Sequence, residues 1–177
     1  MSPIFLFFGN SVFISITNTI ISVLVVAMAA YAIARFNFRG KTLFTLSLSS
    51  SLLVPISALL MPIYLIMSRI GLLDSKASLI LVYAALGLPT SLFILRGTFL
   101  AIPREIEEAA AIDGSSFSNT LWRIILPITK PILVTVAIIQ IFSCWNEFSF
   151  ALVLIKNVSL QTVPLALTQF KGQFASD

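Results

Sequence analysis

Long apolar runs alternate with short polar intervals along this chain. A helix that crosses a bilayer needs about 20 consecutive apolar residues. Four windows meet that requirement: Val12–Ala34, Leu43–Met67, Ala77–Phe99 and Pro131–Ile155. The ten-residue segments of alternating polarity that are typical of a membrane β-barrel are not found. The pattern therefore predicts an all-α integral membrane protein with about four transmembrane helices in one domain.

Prolines and glycines interrupt two of these predicted helices. The second contains Pro55 and Pro62 after a serine-rich start, and a proline inside a membrane helix bends its axis, so we expect a bent helix. The third is expected to break near Gly87–Pro89. The tail, Lys156–Asp177, is polar and too short to cross the membrane again.

Composition excludes several classes of chemistry. The chain is 58% hydrophobic and 10% charged, with a mean hydropathy of +1.04, whereas soluble domains carry about 25% charged residues. It has no histidine and one cysteine, Cys144, which excludes histidine-based triads, an internal disulfide and a cysteine-cluster metal site. We therefore predict no catalytic residue, no metal site and no cofactor.

The positive charges predict the orientation in the membrane. The net charge is +4, and the basic residues lie scattered near span ends, which is not a nucleic-acid footprint. Seven would lie on one side: Arg35, Arg39, Lys41, Arg96, Arg104, Arg123 and Lys130. Four would lie on the other: Arg69, Lys76, Lys156 and Lys171. The richer side should be cytoplasmic, which places the polar interval of about residues 102–130 inside and both termini outside.

That polar interval predicts a short helix, a tight turn and a second short helix. Pro103 can open the first helix, and glutamates crowd its first turn, where acidic groups suit the positive end of the helix dipole. Ala109–Ala111 extend it with high helix propensity. Gly114 lies where a left-handed C-cap is expected, and Ser115 or Ser116 can cap the next helix, which Pro127 would end.

The first of these helices carries a narrow face of small side chains. Ile106, Ala109, Ala110 and Asp113 share that face at helical spacing. Small side chains let another protein approach the backbone closely, and the neighbouring glutamates can meet its basic groups. The alternative interpretation is a solvated connecting helix.

Glu147 is the one acidic residue that the pattern places within a predicted span. An ionisable group inside a membrane is expected to be functional. Together with Trp145 and Asn146, which offer aromatic stacking and hydrogen bonds, it would line a pathway for a polar solute. The alternative is a buried structural pair or a residue that faces water near the interface.

The spacing within the polar interval resembles a known motif. Glu108-Ala109-Ala110 is followed after three residues by Gly114, and after nine more by Ile124-x-Leu126-Pro127. This is similar to the EAA loop of permease subunits of binding-protein-dependent ABC importers, which have a MetI-like transmembrane domain. Further segments resemble the carbohydrate-uptake branch of that family: Arg35-Phe36, Phe38-Arg39-Gly40-Lys41, Pro62-Ile63-Tyr64, Ile112-Asp113-Gly114 and Trp145-Asn146-Glu147-Phe148.

The resemblance implies a transport mechanism with several partners. Two permease subunits would form the pathway in a bacterial or archaeal cell membrane, and an extracytoplasmic solute-binding protein would deliver a sugar or oligosaccharide. ATP hydrolysis would belong to separate ATPase subunits, so the chain itself would not be an enzyme. The cytoplasmic EAA coupling helix would dock on the ATPase through Glu107, Glu108, Ala109, Ala110, Asp113, Gly114, Ile124, Leu126 and Pro127. Membrane lipid would surround it, and no nucleic acid is expected.

Some alternatives stay open at this point. Members of the family usually have six membrane helices, so we expect this chain to be truncated at both ends. The EAA loop is shared by importers of polyamines, phosphate and oxyanions, and a non-transporting fragment would show the same motifs. A membrane-embedded enzyme is disfavoured because Glu147 stands alone among its spans.

Overall fold

The computed structural model describes the backbone of residues 3–174 and the side chains of residues 4–168. Within that range the chain forms helices and turns, without a β-strand. The helices are α1 (Pro3–Arg35), α2 (Lys41–Ser51), α3 (Leu60–Arg69), α4 (Lys76–Ala101), α5 (Glu105–Ile112), α6 (Phe117–Thr120), α7 (Leu126–Ile128), α8 (Lys130–Asn146), α9 (Ser149–Leu154) and α10 (Val163–Phe174). Ile56–Leu59 and Val158–Leu160 are 3-10 turns, and Leu121–Ile125 is a π-helical turn.

Two helices are long and apolar enough to cross a membrane by themselves. They are Ile4–Arg35 and Lys76–Ala101, with mean hydropathies of 2.2 and 2.0. The number rises to four when each of two bent helix pairs is counted as one span. The predicted all-α integral membrane fold is therefore confirmed, with between two and four spans in the described residues.

The centre of the fold is α1, which packs against α4 and α8. Small residues such as Ala30 let these helices approach closely, and Tyr31 meets Phe99 edge to face with ring centroids 5.5 Å apart. Phe99, Leu95 and Ile125 are fully buried in the same cluster. This cluster holds the start of the polar interval against the end of α1.

Hydrogen bonds fix the opposite end of the molecule. The Asn10 side chain donates to the carbonyl oxygens of Ser159 and Gln161, at 2.8 and 3.0 Å. Ser11 accepts a hydrogen bond from the backbone N–H of Val163. These bonds pair the polar side chains of Asn10 and Ser11, which can therefore lie inside α1. The helix begins at Pro3 rather than at the predicted Val12.

Two predicted interruptions differ from the structure. The expected break near Gly87–Pro89 is wrong, because α4 runs unbroken through Pro89. The second predicted span does bend, but by 105° between Ser51 and Ile56, so it forms two helices rather than one kinked helix.

The helices after residue 117 also begin and end at residues that differ from the predicted ones. Pro127 does not stop the second short helix, because it lies in the first turn of α7, where its missing N–H has no cost, and the chain turns only at Thr129. The fourth predicted span is divided at Glu147 into α8 and α9. The predicted polar tail contains α10, whose Leu165 and Ala166 are buried.

Candidate functional site

The helix α5 occupies the position of the predicted coupling helix. It has only eight residues, and isolated helices of that length are unstable in water, so tertiary contacts must set its orientation. Ala110 is buried and Ile106 packs against the central cluster. The helix is therefore held on one side by the ends of α1 and α4.

An ion pair supplements this packing. Arg35 Nε lies 2.6 Å from Glu107 Oε1, with side chains 7% and 22% exposed. The N–H is not directed along the line between the two atoms, so the contact is an ion pair rather than a linear hydrogen bond. Arg35 Nη2 also donates to the carbonyl oxygen of Ile102, at 2.9 Å. One guanidinium thus joins the ends of α1 and α4 to α5.

The face predicted for docking is divided in the structure. Ile106 and Ala110 turn inward, whereas Ala109 and Asp113 are exposed. Ile106 and Ala110 are four residues apart and therefore lie on the same side of the helix, which faces the fold. Glu107 is also held on this side, by its ion pair with Arg35. The exposed side, which we call the coupling face, is formed by Glu105, Glu108, Ala109, Ile112 and Asp113.

The turn after α5 follows the predicted chemistry. Gly114 has a φ of +78°, a left-handed conformation that favours glycine, and its N–H bonds to the Ala111 carbonyl oxygen. Ser116 then caps α6, accepting from the N–H of Asn119 at 3.4 Å. Phe117 closes the turn against the Phe36 ring, with centroids 5.3 Å apart. The prediction of helix, glycine turn and serine cap is confirmed.

The end of the EAA-like motif is only partly buried. Ile124 and Leu126 are half-buried and Pro127 is exposed. Ile124 lies within the π-helical turn and Leu126 and Pro127 follow it, and the chain then bends by 75° at Thr129 before α8 begins. Of these three residues, Leu126 packs against the central cluster, and the coupling role predicted for all three stays a prediction.

A mostly apolar cavity of about 210 Å³ lies between α1, α4, α8 and the turn before α3. Its apolar wall includes Ile56, Leu86 and Ile139. Its polar groups are those of Asn18, Tyr83, Thr90, Ser91, Gln140, Ser143 and Glu147. Binding pockets commonly combine apolar walls with a few convergent polar groups. Thr90 and Ser143 are exposed, so the cavity opens at the surface of the chain.

Three hydrogen bonds hold the Glu147 carboxylate at the edge of this cavity. Tyr83 donates to Glu147 Oε2 at 2.8 Å. The backbone N–H groups of Phe150 and Ala151 donate to the carboxylate at 2.9 and 3.2 Å. Glu147 therefore caps the first turn of α9 while its side chain lines the cavity.

Another part of the cavity wall depends on a close approach of α4 and α8. Gln140 Nε2 donates to Ser91 Oγ at 2.7 Å, and both side chains are buried. A Cβ atom at Gly87 would overlap the Gln140 amide group. Glycine at this position thus lets the amide lie against α4.

Asn18 contributes a buried hydrogen-bond donor. Its side chain is fully buried, and its Oδ1 accepts from Ser22 at 3.3 Å. Its Nδ2 has no hydrogen-bond partner among the described residues. Burying an unpaired donor costs free energy, and Asn18 is among the residues that line the cavity.

Only Glu147 of the three predicted pathway residues lines the cavity. Trp145 packs edge to face on Phe8, with centroids 5.6 Å apart, and Asn146 is exposed and bonds back to the Phe142 carbonyl oxygen. Sequence reasoning missed Asn18 and Gln140. Both are polar residues inside apolar runs, and that pattern was the available signal.

The sequence matches a known family. Residues 23–173 match the family described as "Binding-protein-dependent transport system inner membrane component". That range is most of the chain, which therefore belongs to this family. Its members are inner membrane components, and the chain is an integral membrane protein of this kind.

Curated relatives are permease subunits of ABC transporters. The chain is 34% identical to the sulfoquinovosyl glycerol transport system permease protein SmoH of Agrobacterium fabrum, over 98% of this chain and 61% of SmoH. It is 32% identical to the trehalose/maltose transport system permease protein MalG of Thermococcus litoralis, over 92% of this chain and 59% of MalG. The chain thus spans about three fifths of the length of the curated relatives it matches. Such permeases are transporters rather than enzymes.

A solved structure shows the same fold. It is a bacterial ABC transporter involved in the import of the acidic polysaccharide alginate. The match has a TM-score of 0.84 and 23% identity, and covers 100% of this chain and 65% of that one. The likeness confirms the MetI-like permease architecture that the EAA-like motif predicts.

Proposed function

We propose that this chain forms part of a permease subunit of an ABC importer for a sugar or oligosaccharide. In this proposal, the coupling face of α5 docks on a separate ATPase subunit, which hydrolyses ATP. A second permease subunit completes the pathway, and an extracytoplasmic binding protein delivers the solute. The proposal rests on the family assignment together with the geometry of α5.

The observation that carries the proposal is the exposure of a small, acidic face on a firmly held helix. Ile112 is 87% exposed, although a large apolar side chain is usually covered. Glu108 and Asp113 flank it and can meet basic groups of a partner. Because the opposite side of α5 is anchored to α1, force applied to the coupling face would reach the membrane helices.

The polar groups on the mostly apolar wall of the cavity support the choice of solute. It presents amides, hydroxyls and one carboxylate, and no basic residue is among its described lining residues. This lining suits the hydroxyl groups of a carbohydrate and disfavours phosphate or another oxyanion, which would need cationic partners. SmoH and MalG, which are relatives, are permeases for sugar-containing solutes by name.

Affinity capture of the transporter from its native membranes tests the coupling proposal. The chain is tagged, purified in mild detergent, and the retained proteins are identified by mass spectrometry. We expect a Walker-type ATPase and a second permease. Gly114→Asp should abolish ATPase retention, because it adds a charged side chain at a left-handed position beside the coupling face.

Gly71→Asp is the matched control for this experiment. Gly71 also has positive φ, +69°, and open space around it, but it follows α3, far from α5 in the chain. The control should keep the ATPase. Equal retention in wild type and Gly114→Asp would contradict docking through α5, and capture of the chain without any ATPase would contradict the importer proposal.

A further inference from the structure

We propose that Arg35 is a positioning residue that transmits movement of the coupling helix to the membrane helices α1 and α4. This inference rests on the proposed function, since it requires that an ATPase displaces α5. It assigns a role to a residue outside the EAA-like motif, at the end of the first helix.

The guanidinium is the direct polar link between three helices. Arg35 is the last residue of α1. It pairs with Glu107 on α5 and donates to the Ile102 carbonyl oxygen, which follows the last residue of α4. Only a side chain with several fixed donors can make both contacts at once. A displacement of α5 therefore acts on the ends of α1 and α4 together.

Burial makes this link firm. The Arg35 side chain is 7% exposed, and a buried ion pair is screened little by salt or water. Removing one partner leaves the other charge buried without compensation. The pair should therefore persist while the transporter cycles.

A second contact fastens the same segment to α1. The Phe117 ring, at the start of α6, lies 5.6 Å from the Tyr31 ring and 5.3 Å from the Phe36 ring. Rings at this spacing attract each other beyond their hydrophobic burial. The start of α5 and the start of α6 are thus both attached around the end of α1.

The connection to α8 has a different character. It passes through the π-helical turn Leu121–Ile125 and a bend of 75° at Thr129. π-Helical turns and kinks are sites where a helix changes direction. We therefore expect α5 to move with α1, and to change its distance from α8.

Spin-label distance measurements on the captured transporter test this expectation. In a Cys144→Ala background, one label pair joins Ala111 on α5 to Met28 on α1, and another joins Ala111 to Ile138 on α8; all three sites are exposed. Distances are compared without nucleotide and after trapping with ATP and vanadate. In the wild type, the Ala111–Met28 distribution should stay narrow and unchanged, while the Ala111–Ile138 distance should shift.

Charge-removing variants then isolate the ion pair. Arg35→Gln and Glu107→Gln should each broaden the Ala111–Met28 distribution and let it shift on trapping, and Arg35→Lys should restore part of the wild-type narrowness. Arg39→Gln is the matched control, because Arg39 is predicted to lie on the same side of the membrane as Arg35 but is exposed. It should behave like the wild type.

The two levels of the proposal fail in different ways. An unchanged, narrow Ala111–Met28 distribution in Arg35→Gln and Glu107→Gln would overturn the role of Arg35, while ATPase binding stands. A wild-type transporter that retains no ATPase, or whose Ala111–Ile138 distance does not respond to trapping, would overturn the proposed coupling itself.

Discussion

The Tyr83 hydroxyl donates a hydrogen bond of 2.8 Å to the carboxylate of Glu147, 64 residues further along the chain. This bond joins the N-terminal half of α4 to the break between α8 and α9. Since the same carboxylate accepts from two N–H groups of α9, three donors determine where Glu147 meets the cavity. Glu147, an acidic residue in an apolar segment, thus holds α4 and α9 together and also lines the cavity.

Removing the Tyr83 hydroxyl should weaken the fold measurably. A hydrogen bond to a charged group contributes about 1.5–3 kcal/mol, which corresponds to roughly 3–12 °C in the unfolding temperature of a chain of this size. We therefore expect Tyr83→Phe to lower the thermal unfolding midpoint in detergent within that range. Tyr64→Phe is the control: Tyr64 is half-buried and its hydroxyl makes no hydrogen bond among the described residues. A midpoint equal in both variants would show that the bond contributes nothing to stability.

Two glycines of α4 should respond to alanine in opposite directions. At Gly87 the new Cβ meets the Gln140 amide, so Gly87→Ala should displace that side chain and break its bond to Ser91, at a cost of about 1–3 kcal/mol. At Gly97 no atom lies within 4 Å of the new Cβ. Gly97→Ala should therefore stabilise α4 by up to about 1 kcal/mol through helix propensity. Unfolding midpoints in detergent compare the two, and destabilisation of similar size would contradict the close approach at Gly87.

Much of the fold can be predicted because the bilayer constrains it. Apolar length alone identifies α1 and α4 as spans. Local chemistry predicts the region after α4 equally well, since glutamates, alanines and a glycine specify a short helix with a left-handed end. In both cases the deciding interactions are local in sequence.

The elements that were predicted wrongly depend on contacts between distant residues. Gly87 and Pro89 resemble a helix break in sequence, yet α4 continues through both. The glycine instead makes room for the Gln140 side chain, which packs against it. Asn10 resembles a residue before a span until its bonds to Ser159 and Gln161 are seen. These partners lie 50 residues or more away in the sequence, so a local sequence pattern cannot reveal them.

The candidate sites divide in the same way. The coupling segment is a continuous motif, so its residues are visible in the sequence, although the inward direction of Glu107 is visible only through Arg35. The cavity draws residues from several elements that are distant in sequence, and of its polar residues only Glu147 is singled out by the sequence analysis. Its charge made it conspicuous in an apolar run, whereas amides and hydroxyls did not stand out.

The loop between α3 and α4 should be sensitive to the identity of residue 74. Asp74 has a φ of +57°, and its Oδ1 accepts from the N–H groups of Lys156 and Asn157 at 2.9 and 2.8 Å. Asp74→Ala removes both bonds and is less suited to positive φ, whereas Asp74→Asn keeps an acceptor and tolerates that backbone.

Amide hydrogen exchange measures this difference directly. With a loss of about 1–3 kcal/mol in Asp74→Ala, exchange at Lys156 and Asn157 should accelerate by about fivefold to 100-fold. Asp74→Asn should accelerate it much less, and amides in the middle of α4 should be unaffected in both. Equal exchange in the two variants would show that the side-chain oxygen does not hold this loop.

The cavity should determine solute uptake independently of ATPase docking. Gln140→Leu and Asn18→Leu remove hydrogen-bonding groups from the cavity while keeping side chains of similar size. Each polar group lost to a solute hydroxyl is worth about 0.5–1.5 kcal/mol, so uptake affinity should fall by about threefold to tenfold. The measurement is uptake of labelled sugar by the native cells, after a screen of mono- and disaccharides has identified one that the wild type takes up. Thr135→Val serves as the control, because Thr135 lies on α8 outside the cavity and bonds only to the Pro131 carbonyl oxygen of its own helix. All three variants should retain the ATPase equally, and unchanged uptake in both leucine variants would show that the cavity is not part of the solute pathway.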